Sequence, residues 1–100
     1  MNTKIEEIDG RFVATLAGEM DTAAAIQAEE ILKPLYNTAG KAVVIDCHDL
    51  EYIASSGLRI LVTIIKGAKA SGSRVTLQGV NDDIMNVFKL TGLVSVFNFE

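Results

Sequence analysis

Apolar and polar residues alternate along the first part of the chain in a two-residue period. Residues 3–8, TKIEEI, and 11–17, RFVATLA, flank Asp9-Gly10. An Asp-Gly between two strand-like runs predicts a hairpin. In the second run Phe12, Ala14 and Leu16 share one face, and Gly18 is expected to end it. The period then changes. Asp21 and Thr22 can cap a helix over 22–38, with Ile26, Leu32 and Leu35 near helical spacing. Pro34 should kink that helix or end it near Lys33. Asn37 to Gly40 breaks the chain. Residues 42–46, AVVID, are apolar up to Asp46, as in a central strand covered on its faces.

The clearest helical signal runs from Ser56 to about Ala70. Leu58, Leu61, Ile65 and Ala68 form one stripe, Ile60 and Ile64 widen it, and Arg59, Thr63, Lys66 and Lys69 leave a narrower polar side. Ser71-Gly72-Ser73 predicts a turn and 74–79, RVTLQG, a strand. Asn81 can cap a third helix, with Asp82 and Asp83 favourable to its dipole. Ile84, Val87, Phe88 and Thr91 keep the helical period, Gly92 fits a C-terminal cap, and 94–99, VSVFNF, reads as a last strand. The order β-β-α-β-α-β-α-β predicts an α/β fold: a mostly parallel mixed sheet of four to five strands with three helices and right-handed crossovers. Strand order stays open.

The 100 residues show one continuous pattern without repeats, which predicts one domain over 1–100. Apolar residues make up 49%, enough to bury a core. Net charge is −4, with lysines and arginines scattered. That disfavours nucleic acid and anionic membrane surfaces as partners. One cysteine, Cys47, allows no internal disulfide and suits a reduced compartment. No apolar signal core opens the chain, and no run reaches the length of a membrane span. A soluble cytoplasmic protein is the expectation.

Enzyme chemistry finds little support. His48 is the single histidine, and nothing places it between a serine and a carboxylate as a triad requires. Residues 53–58, IASSGL, lack the first glycine of a nucleophile elbow. One His and one Cys hardly supply a metal site. Gly57 stands alone, so no phosphate-cradling glycine loop and no cofactor are expected.

The junction Ala54-Ser55-Ser56-Gly57 holds more. One reading makes Ser55 or Ser56 a helix N-cap. The other makes it a functional site, since loops gather at the carboxyl edge of a parallel sheet and a helix start presents unpaired N–H groups that stabilise a phosphate. Residues 18–21, GEMD, carry a second pair of readings: a turn with a cap, or a carboxylate beside the serines. The Arg59–Lys66 side is either a solvated helix face or a contact surface.

Four segments are similar to the STAS domain found in bacterial anti-anti-sigma factors: AGEMD (17–21), VVIDCHDLEYIASSGLRIL (43–61), GSRVTLQGV (72–80) and VFKLTGLVSVF (87–97). They follow the family's order over nearly the whole chain, and SSGL after D-L-x-x-I is the most specific. The resemblance implies a small, non-enzymatic antagonist that binds an anti-sigma factor. That partner is a serine kinase of the histidine-kinase-like ATPase fold. Phosphorylation at the start of the second helix releases the antagonist, and a phosphatase resets it. The acceptor position falls on Ser55. Ser56 and Gly57 match the residues that follow, Asp21 matches the acidic residue beside the acceptor, and Arg59 is expected as a partner contact. The chain is expected to be a monomer or weak dimer.

Two departures stand out. Ala54 replaces the aspartate that commonly precedes the acceptor, which bears on the phosphorylation step. Many relatives carry a further helix after the last strand, so one flank of the sheet is expected to be barer. A STAS subunit that is never phosphorylated and docks on a transporter ATPase or signalling complex is the alternative. A serine hydrolase using Ser55 lacks its base and oxyanion partners.

Overall fold

A computed structural model describes residues 1–100. Strands β1 (Asn2–Ile8) and β2 (Arg11–Met20) form the expected hairpin. Asp9 and Gly10 both take positive φ, 54° and 77°, the backbone of a two-residue type I′ turn. Helix α1 (Thr22–Leu32) leads into a single 3₁₀ turn, Lys33–Tyr36. Pro34 falls at the start of that turn, where its missing N–H costs nothing. Strand β3 (Val43–Ile53), helix α2 (Ser55–Ser71), strand β4 (Val75–Gln78), helix α3 (Asp82–Leu90) and strand β5 (Asn98–Phe99) complete the chain.

The five strands lie in the order β1-β2-β3-β4-β5. The first pair is antiparallel and the other three pairs are parallel. Residues Ala14, Leu16, Val43, Ile45, Cys47, Val75 and Leu77 are buried, whereas their alternating neighbours Val13, Thr15, Val44 and Asp46 are only half-buried. The helices therefore cover one face. Leu61, Ile64 and Ala68 of α2 and Ile84 and Phe88 of α3 join one core with those strand residues.

Several boundaries differ from the sequence reading, each for a tertiary reason. Strands β2 and β3 run on to Met20 and Ile53. Gly18 does not end β2. It takes φ +99° between two shifts of register, where the ladder skips from Thr15 to Ala17 and from Gly18 to Glu19. Such bulges let a ladder continue with a stronger twist. The last strand shrinks to Asn98–Phe99. Residues 94–97 turn instead, because Phe97 enters a cluster with Phe88 and Phe99 at centroid distances of 5.5 and 6.3 Å. Ile26 is 69% exposed rather than on the core stripe of α1. Ala25, Ala28 and Leu32 face the core, and the two alanines are small enough to let α1 lie close against α2.

Gly67 marks that approach from the other side. A Cβ there would lie 2.0 Å from the Tyr36 carbonyl oxygen, so α2 and the 3₁₀ turn touch backbone to backbone. The hydroxyls of Thr38 and Ser73, 2.6 Å apart, join the same two segments just beyond.

Candidate functional site at the start of the second helix

The ends of β2 and β3 deliver two segments to one edge. Met20 pairs with Ile53, and the Ala54 N–H donates to the Met20 carbonyl at 2.8 Å. The next residues, Asp21 and Ser55, therefore leave the sheet side by side. Asp21 caps α1: its Oδ1 accepts the Ala24 N–H at 2.8 Å. Asp21 is thus the cap of the GEMD segment, at a strand end beside the one that leads into the serines.

Neither serine is a cap. The N-cap of α2 is Ala54, with φ −81° and ψ 167° and no side-chain bond to the first turn. The helix starts one residue before the expected Ser56 because the last rung of the β2–β3 ladder holds Ala54 in extended geometry. An aspartate at 54 could accept one of the first-turn N–H groups. Alanine leaves them without a capping side chain, and no acidic residue lies in that turn.

The two serines differ sharply. Ser55, the first helical residue, is exposed. The Ser56 Oγ is sealed from solvent and has no hydrogen-bond partner. Gly57 explains the third small residue. A Cβ there would come within 2.5 Å of the Met20 Sδ and 2.7 Å of the Ile53 Cγ1, so the helix start is pressed onto the ends of both strands.

Beside the serines, a groove of about 190 Å³ runs between α1 and α2, lined by Thr22, Ala25, Ile26, Glu29, Ser56, Arg59 and Ile60. Glu29 is engaged by the Tyr36 hydroxyl, which donates to it at 2.7 Å. Burial, then that carboxylate, pushes the Tyr36 phenol up. Arg59 is exposed and makes no ion pair. Ile26 and Tyr52, 69% and 51% exposed, add apolar surface that the sequence reading did not assign. Tyr52 pairs with Glu19 at the same strand ends. Alternation from the buried Leu50 would turn it inward; the register shift between Leu50 and Tyr52 turns it outward instead, so the sequence held no signal for it.

His48 is elsewhere. Its Nδ1 lies 2.6 Å from the Asp46 Oδ1. Its ring covers Gly79, where a Cβ would meet the Cδ2 at 2.3 Å. This pair belongs to the helix-free face of the sheet and forms no relay with Ser55. The His48 backbone N–H, then its ring, holds the Asp46 carboxyl below the usual carboxylate range. Burial, with Asp46 next to it, pushes the Cys47 thiol up to about 12, so it is a packed core group rather than a nucleophile. No group of three or more His, Cys, Asp or Glu side chains could hold a metal ion. No helix is long and apolar enough to cross a membrane.

The structure is a two-layer α/β domain with an exposed serine at the start of its second helix. The STAS domain model matches residues 2–100, and this chain belongs to that family. BtrV of Bordetella bronchiseptica, named as an anti-sigma factor antagonist, is 30% identical over 97 residues, covering 97% of this chain and 84% of BtrV. The crystal structure of an anti-sigma factor antagonist from Mycobacterium paratuberculosis superposes with a TM-score of 0.80 at 28% identity, covering 98% of this chain and 83% of the other. The phosphorylated form of SpoIIAA, the Bacillus cell fate determinant, shares the fold alone: TM-score 0.75, 21% identity, 99% of this chain and 91% of the other. STAS anti-sigma factor antagonists are regulatory binding proteins, not enzymes.

Proposed function

We propose that this chain is an anti-sigma factor antagonist whose binding to an anti-sigma factor kinase is switched off by phosphorylation of Ser55. One observation carries the choice of residue: Ser55 is exposed at the uncapped start of α2, whereas the neighbouring Ser56 Oγ is sealed. A kinase active site must surround the hydroxyl it phosphorylates, and of the two residues Ser55 is the exposed one.

In the reaction the Ser55 Oγ attacks the γ-phosphorus of ATP held by the kinase. An Oγ–P bond forms, the bond to the β–γ bridging oxygen breaks, ADP leaves, and the hydroxyl proton passes to a base on the kinase. The product carries about −1.5 to −2 charge at neutral pH. The helix start tolerates that charge on its own chain. In a docked complex the same dianion must shed water and meets Asp21 and whatever acidic or phosphate groups the kinase presents. A tenfold loss of affinity takes only about 1.4 kcal/mol, so release needs no refolding. A phosphatase resets the chain by hydrolysing the phosphoserine. Asp21, Ser56, Gly57 and the N-cap Ala54 shape the surroundings, Arg59 and Tyr52 are of the residue types enriched at interface centres, and Ile26 adds exposed apolar surface.

The test is incubation with the cognate kinase and ATP, followed by mass spectrometry. One phosphate on Ser55, lost in Ser55→Ala and retained in Ser56→Ala, is the expected result. Phosphate on Ser56 overturns the assignment. Co-purification with a transporter ATPase or a large assembly, with no phosphate added, selects the docking-subunit reading instead, which the alanine at position 54 favours.

A further inference from the structure

Arg59 stands four residues after Ser55 on α2, and both are exposed. Residues at this spacing are neighbours on one helix face. Side chains on a helix lean toward its N-terminus, which brings the turn that Ser55 begins within reach of a long guanidinium arm. Nothing in the chain holds it. Arg59 takes part in none of the four ion pairs, and its side chain appears in no hydrogen bond. The one acid lining the groove, Glu29, accepts the Tyr36 hydroxyl. Two further facts make the start of α2 ready for an anion: Ala54 supplies no capping side chain, and the first turn contains no acid.

We propose that the phosphate on Ser55 captures Arg59 in an intrahelical pair, so that one modification adds a dianion to the docking surface and withdraws its free cation from it. The inference rests on the reading of Ser55 as the acceptor. Arginine suits the role because its planar fork matches phosphate oxygens two at a time. The acids on the same edge, Glu19 and Asp21, oppose the phosphate, and the captured guanidinium offsets them. The unphosphorylated chain leaves Arg59 projecting beside the α1–α2 groove, available to a partner's carboxylate. The phosphorylated chain spends it internally. Release is then a loss of attraction as well as a gain of repulsion.

The experiment uses the full chain with phosphoserine installed at position 55 during synthesis, so that no kinase is needed. The second ionisation of the phosphate is followed by ³¹P NMR against pH, in the parent and in Arg59→Gln and Arg59→Lys. An arginine paired with the dianion favours the charged form. Its removal in Arg59→Gln should raise the midpoint by about 0.15–0.4 unit, and Arg59→Lys should keep most of the parent value. The Arg59 Nε–H resonance should shift and become protected from exchange on phosphorylation. An identical midpoint in the parent and Arg59→Gln, with Nε–H unchanged, overturns the pair while leaving Ser55 as an acceptor intact. Failure of a kinase to modify Ser55 overturns the switch and shows itself separately, by mass spectrometry.

Discussion

Replacing Gly67 with alanine sets two opposed effects against each other at one carbon atom. Gly67 lies in the interior of α2. An interior glycine costs a helix about 1 kcal/mol relative to alanine, so propensity alone makes the substitution stabilising. The packing reverses the sign. The new Cβ would sit 2.0 Å from the Tyr36 carbonyl oxygen and 2.9 Å from its carbonyl carbon. That obstacle is backbone and cannot rotate away as a side chain would. Reaching ordinary van der Waals contact requires α2 and the 3₁₀ turn to part by about 1 Å or more. The separation loosens the buried Leu35 and strains the 2.6 Å Thr38–Ser73 hydroxyl bond. Overpacking of this kind costs about 1–3 kcal/mol, and a backbone obstacle belongs in the upper part of that range, about 2–3. After the propensity gain about 1–2 kcal/mol of destabilisation remains. At this chain length each kcal/mol moves the melting point by about 4–8 °C, so Gly67→Ala should melt about 4–16 °C below the parent by calorimetry. A variant melting at or above the parent would show that propensity outweighs packing here and refute the close approach.

Three other outcomes follow from single contacts. Ser56→Ala removes a buried hydroxyl without a partner, a group that costs about 1–3 kcal/mol unsatisfied; it should melt higher than the parent, and a lower melting point means that the oxygen is bonded. Asn81→Ala loses both the cap to the Ile84 N–H at 2.8 Å and the Nδ2 bond to the Leu50 carbonyl at 3.1 Å. It should cost about 1–2 kcal/mol in urea titration with an unchanged m-value. Asp46 is held below the usual carboxylate range, first by the His48 backbone N–H and then by its ring. A depressed folded value means stability that is complete above the ordinary carboxylate range and lost as pH falls through the lowered one. His48→Ala should raise the Asp46 midpoint only partly in an NMR titration, because the backbone donor remains; a full return to the ordinary value contradicts the assignment.

The element order was legible because each change of period is local: two-residue alternation to Leu16, helical spacing through Ala68, Asn81 ahead of Ile84. Caps and turns were legible for the same reason, as Asp21, Asn81 and Asp9-Gly10 act within three residues of themselves. Long-range pairing set everything that was misread. The skipped rungs near Gly18 and the short final strand depend on neighbours far away in sequence. The core face of α1 follows the alanines rather than Ile26, because closeness to α2 selects small side chains.

The serine pair divides the two kinds of information most clearly. Local composition shows small polar residues at a strand–helix junction, and resemblance points to one of them. Which hydroxyl meets solvent depends on the tertiary packing of α2. Its start is fixed by the bond from Ala54 to Met20, more than thirty residues earlier in the chain. Neighbouring residues of a helix point about 100° apart, so docking α2 on the sheet and on α1 leaves Ser55 exposed and seals the Ser56 Oγ.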